Sequence, residues 1–159
     1  MALETLHPMV VHFPIALLIV VLLFDVTALF FPKVELARAS LYLSGVATIG
    51  AIAAYFSGEA AEEPVEHLPG IETLLERHED LGKLLAVAAV AALVVRLVFV
   101  WRRWHEAVAG RAMLAFFSAV LAVLVGATGY VGGQLVYEHG AGVRPVLEQH
   151  EAPRHRADP

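Results

Sequence analysis

HPMVVHFPIALLIVVLLFDVTALFF, residues 7–31, decides the fold. A helix that crosses a bilayer needs about 20 consecutive, mostly apolar residues. Pro8 to Phe31 supplies them with a single charge, Asp25. Two histidines, His7 and His12, and two prolines, Pro8 and Pro14, stand at the entrance of that run. Ionisable groups so close to hydrocarbon are costly, and the default reading of one is functional. Pro8 suits the first position of a helix, where its missing N–H would lack a partner anyway. Pro14 falls inside the helix, removes one hydrogen bond and should kink the chain near Val10, freeing a carbonyl close to His12.

Three more apolar runs follow, at about 39–57, 81–101 and 112–139, to join the first at about 8–31. The 159 residues make one domain by length. They are 58% hydrophobic, against about 45–50% in an ordinary soluble domain, and the mean hydropathy is +0.69. The expected fold is all-α: an integral membrane four-helix bundle in up-down-up-down order, spanning residues 1–143. No internal repeat is evident. Residues 144–159 read as a polar, disordered tail, and no chemistry is expected from His150 or His155 within it. The N-terminus lacks the basic region and short apolar core of a cleavable signal, so the first span is expected to be retained.

A formal charge of −5 and the lack of a basic, aromatic-interleaved patch argue against nucleic acid. The chain has no cysteine. Disulfides, covalent haem attachment, cysteine-ligated iron–sulfur clusters and thiolate metal sites are thereby excluded. Any cofactor must be held by histidine and carboxylate.

Alternating spans put His7, His12, His67, His78 and His139 at one membrane face and His105 at the other. The second face carries Lys33, Arg38, Arg102, Arg103 and Arg111 in two short loops, the mark of the cytoplasmic side. The expected location is therefore the inner (cytoplasmic) membrane, with both termini and the histidine face outside. Asp25 and Arg96 fall at similar depth, roughly 8–10 Å inside the basic end at 1.5 Å per residue. A structural ion pair between the first and third spans follows, because either charge alone would be costly. In the second span Gly50, Ala54 and Gly58 form a ladder of small residues that admits a close neighbour. The longest loop, 58–83, is acidic. Within it IETLLERHED, Ile71 to Asp80, reads as a short amphipathic helix that lies along the surface or feeds the third span. Gly140 is placed to cap the last helix in the left-handed conformation.

HPMVVHFPIAL near the start and GGQLVYEHGAGV near the end resemble the transmembrane family called domain of unknown function 2231 (DUF 2231). The resemblance runs from His7 to about Val143 and includes Ser57-Gly58 and Glu76-Arg77-His78-Glu79. Relatives of this kind occur joined to cytochrome c-like modules, and the resemblance therefore implies redox work in the cell envelope.

The leading chemical expectation is a b-type haem held between two histidines, since haem iron accepts axial imidazole and a four-helix bundle can supply one from each of two facing helices. The first and third spans are expected to be diagonal, which selects His12 and His78, with His139 as substitute and His7 fourth. Gly82, Gly126, Gly129, Gly132 and Gly133 would leave room, and Arg77, Lys83 or Arg144 could neutralise propionates. The alternative is a divalent transition-metal site from His7, His12, His78 and His139 with Glu79 or Glu138 as oxygen ligand. A third reading is structural, with histidines tying helix ends in a non-catalytic membrane subunit. No nucleophile and base are arranged for hydrolysis, so an electron-transfer or binding protein is expected rather than a hydrolase or transferase. Besides the bilayer, the implied partner is a periplasmic or membrane redox protein.

Overall fold

The computed structural model describes residues 6–62, 65–66 and 68–143. His67, Arg144, His150 and His155, and with them the whole expected tail, lie outside the described residues. The chain forms helices α1 (Leu6–Val10), α2 (His12–Phe30), α3 (Val34–Glu62), α4 (Glu72–Trp101) and α5 (Val108–His139), with a 3₁₀ turn at Trp104–Glu106 before α5. No strand occurs among the described residues. Taken with α1 and α2 as one segment, Leu6–Phe30, four helices are long and apolar enough to cross a membrane.

The proline at position 14 acts where the sequence predicts. Pro14 has no N–H to give the Val10 carbonyl, and the helix breaks at Val11 between α1 and α2. It resumes with the Ile15 N–H donating to the Val11 carbonyl at 3.3 Å. Gly140 closes α5 with φ +71°, its N–H donating to the Val136 carbonyl at 3.0 Å, as a left-handed cap requires. The acidic loop is shorter than its composition suggests. α3 continues to Glu62, and residues 72–80 are the first turns of α4, not a separate surface helix. The reason is local: the stretch is built mostly of Leu, Glu and Arg, strong helix formers, and the breakers Pro69 and Gly70 lie just before it.

Helix α2 packs between α3 and α5, and α4 packs between the same two, so α2 and α4 are diagonal. His7 meets Ala54 near the far end of α3, and Pro14 lies beside Gly50. Arg96 of α4 meets Ser118 of α5, while His78 meets Thr128. Neighbours thus run in opposite senses, compatible with the up-down-up-down order. The mid-bundle core is small-sided: Leu18, Ala47, Ala51, Leu85, Ala89, Leu121 and Val125. Large apolar side chains such as Phe13, Leu23, Ile49, Val87 and Val123 point outward on every helix. A soluble protein rarely exposes so much contiguous apolar surface, and lipid is the solvent that removes its cost.

The buried positions repeat, although most of the residues do not. Leu18 and Asp25 of α2 have buried counterparts 71 positions on, Ala89 and Arg96 of α4. Ser40, Ser44, Ala47 and Ala51 of α3 have counterparts 74 positions on in α5: Leu114, Ser118, Leu121 and Val125. The hairpins α2–α3 and α4–α5 therefore present equivalent registers to one core. Burial constrains which face points inward and only loosely which residue fills it, so two such halves can share a register with little sequence identity.

Candidate functional site

At the end of the bundle where α1 begins and α5 ends, two imidazoles from diagonal helices meet. The rings of His7 and His78 have centroids 6.1 Å apart and planes at 89°. The two are 71 positions apart, the same offset as Asp25 and Arg96. Each is fixed in the same way. His7 Nδ1 is 3.0 Å from the Ala54 carbonyl of α3 and 3.1 Å from Ser57 Oγ. His78 Nδ1 is 3.2 Å from the Thr128 carbonyl of α5. A carbonyl only accepts, so Nδ1 carries the hydrogen and donates, and Nε2 is left as the lone-pair nitrogen in both rings.

Glycine makes these bonds reachable. In a helix the side chain of residue i+4 stands beside the carbonyl of residue i, which is why Ser and Thr can bond back four residues. Gly58 is four residues after Ala54, and Gly132 is four after Thr128. A Cβ at Gly58 would lie 3.2 Å from His7 Cε1, and one at Gly132 would lie 2.9 Å from His78 Cε1. The imidazoles fill both notches. By contrast, a Cβ at Gly82, Gly126, Gly129 or Gly133 would meet nothing within 4 Å. At the same end of the bundle, Val65, Leu68, Ile71 and Leu135 form a second apolar cluster that seats the loop before α4 on the end of α5.

His12 is placed differently. It is exposed, and its Nδ1 bonds the Pro8 carbonyl of its own chain segment. Five positions at 100° each set His7 and His12 about 140° apart around a helix, so only one can face inward. His7, not His12, is the residue whose ring meets His78. His139 ends α5 half-buried, its Cε1 3.9 Å from the Cβ position of Gly70. Among the described residues no group of three or more His, Asp or Glu is arranged to hold a metal ion.

The expected ion pair is present at the other end. Arg96 Nη1 donates to Asp25 Oδ1 at 2.9 Å, and Nη2 bonds Oδ2. Asp25 and Arg96 are 5% and 4% exposed. Ser118 completes the group by donating to Asp25 Oδ2 at 2.6 Å and accepting from Arg96 Nη2 at 3.0 Å. The sequence reading misses Ser118, though a lone hydroxyl inside the run MLAFFSAVLAVLV was the available signal. It also misses the helix carbonyls that orient the imidazoles, which no side-chain pattern reports.

A family model described as predicted membrane protein (DUF2231) matches residues 3–145. The chain belongs to this family. The DUF2231 match takes in all four long helices, the His7–His78 pair with its two glycine notches, and the Asp25–Arg96–Ser118 group. No curated protein and no solved structure matches the chain.

Proposed function

We propose that this membrane protein binds a b-type haem between His7 and His78 and serves electron transfer. The observation that carries the reading is the pair itself: two imidazoles from diagonal helices, each with Nδ1 bonded to a main-chain carbonyl and Nε2 left with its lone pair. That is the arrangement in which metal-binding histidines are held by their surroundings. Two imidazoles on opposite sides of one ion, at about 2.0–2.1 Å each, would have ring centroids roughly 6.3 Å apart, close to the 6.1 Å observed. Haem asks the protein for two axial ligands only, whereas a zinc site takes three or four protein ligands. The pairing in equivalent hairpins supports a ligand shared evenly by both halves. Bound haem would supply one-electron redox chemistry; His7 and His78 would hold it, and Arg77 or Lys83 would be the cations near its propionates. With Lys33, Arg38, Arg102, Arg103 and Arg111 at the opposite end, the same reading puts the pair outside the inner membrane, where a periplasmic or membrane redox protein is the natural electron partner.

A second reading rests on the filled glycine notches. The imidazoles could serve as ties, His7 joining α1 to α3 and His78 joining α4 to α5, with no ligand between them. A visible spectrum of the detergent-purified protein, expressed with haem supplied, separates the two. The haem reading expects a Soret band and a sharp reduced α-band at about one haem per chain, lost in His7→Ala and His78→Ala and kept in His12→Ala. A flat spectrum despite adequate haem would overturn it. Metal analysis of the same sample would then separate a divalent ion from the structural ties.

A further inference from the structure

The basic end of the bundle holds a feature that electron transfer at the histidine pair does not use. A cavity of about 320 Å³ opens between the ends of α2, α4 and α5, lined among others by Lys33, Arg96, His105, Glu106 and Arg111. Local structure builds its wall. Arg103 adopts a left-handed conformation, φ +60°, and the 3₁₀ turn that follows folds back onto the start of α5. Gly110 permits this approach, since a Cβ there would lie 1.9 Å from the Trp104 carbonyl oxygen. His105, Glu106 and Arg111 are thereby brought to one rim, with the His105 Nδ1–H directed to the Phe99 carbonyl at 3.3 Å.

The charges around this space are not balanced. Asp25 is neutralised by Arg96, and the Glu106 carboxylate is taken by Arg103 at 2.7 Å, outside the cavity. That leaves Lys33 and Arg111. Among the described residues neither forms an ion pair. Arg111 is held by one bond, from Nη1 to the Glu106 carbonyl at 2.6 Å, and its Nε is buried with no acceptor. A guanidinium fork and an ammonium beside an opening of ligand size are the chemistry that recognises phosphate. Trp101 and Trp104 lie exposed at the same level, where tryptophan marks the headgroup region of a bilayer.

We infer that this cavity binds a phosphate group through Lys33 and Arg111, carried either by an anionic lipid or by a free phosphate ester. The test measures thermal unfolding of the full-length, detergent-purified protein in phosphate-free buffer. Two probes are used: inorganic phosphate against chloride of equal ionic strength, and nanodiscs of phosphatidylglycerol against phosphatidylcholine. The inference expects the unfolding midpoint to rise with one probe over its control. Lys33→Gln and Arg111→Gln should each raise the phosphate or lipid level needed by at least tenfold. Lys33 is exposed, so its replacement leaves the fold intact and keeps the test decisive even if Arg111→Gln expresses poorly. A response to inorganic phosphate assigns a free ester; a response to phosphatidylglycerol alone assigns a lipid headgroup. No response to either probe overturns the inference. So does an unchanged response in Lys33→Gln, or an equal loss in Arg102→Gln, whose charge lies outside the cavity.

Discussion

Replacing Arg96 by methionine would leave the Asp25 carboxylate 5% exposed with Ser118 as its one remaining donor. The wild-type group contains two Arg96–Asp25 bonds and two bonds through Ser118. Breaking a buried pair by removing one partner costs about 3–5 kcal/mol, because the survivor stays desolvated without compensation. In a chain of this size 1 kcal/mol moves the midpoint by roughly 2–4 °C, so Arg96→Met should lower it by roughly 6–20 °C. Asp25→Leu should cost a similar amount, through the stranded guanidinium. The double variant Asp25→Leu/Arg96→Met removes both charges and fills the space with apolar atoms, and should come within about 1 kcal/mol of the wild type or exceed it. Tryptophan fluorescence or circular dichroism of the detergent-solubilised protein under heat or denaturant reads all three. A double variant as damaged as the sum of the singles would refute the reasoning, since it would mean that the two charges act independently. So would a loss below about 1 kcal/mol in Arg96→Met.

The remaining predictions use the same assay. Ser118→Ala should cost about 1.5–3 kcal/mol, the range for a hydrogen bond to a charged group, and the loss should vanish in the Asp25→Leu/Arg96→Met background. Gly132→Ala puts a methyl 2.9 Å from His78 Cε1, and should cost about 1–3 kcal/mol by overpacking and disturb any spectrum that depends on His78. Gly110→Ala meets backbone, not a movable side chain, at 1.9 Å, and should cost about 3 kcal/mol or more. Gly45→Ala is its control: nothing lies within 4 Å, and the gain in helix propensity should stabilise by up to about 1 kcal/mol.

The sequence by itself determined the helices, their number and their solvent. Apolar run length answers to bilayer thickness, a local quantity, so four spans were legible at about 8–31, 39–57, 81–101 and 112–139, whereas the helical extensions of α3 to Glu62 and of α4 back to Glu72 were not. The break beside Pro14 and the cap at Gly140 were equally local, one a missing donor and the other a backbone conformation that glycine permits. Even the Asp25–Arg96 pair could be read, because two opposite charges at one depth in hydrocarbon have nowhere else to go. Only the tertiary structure decided which histidine turns inward. His7 and His12 are five residues apart in one apolar run, and nothing in composition says which side of α1–α2 faces α3. Packing of the imidazole into the notch at Gly58, with the Ala54 carbonyl as acceptor, selects His7. The equivalence of the two hairpins was obscured for the same reason: apart from His7/His78, Ser44/Ser118 and Gly58/Gly132 it resides in which positions are buried, and burial is set by neighbours from the other half of the chain.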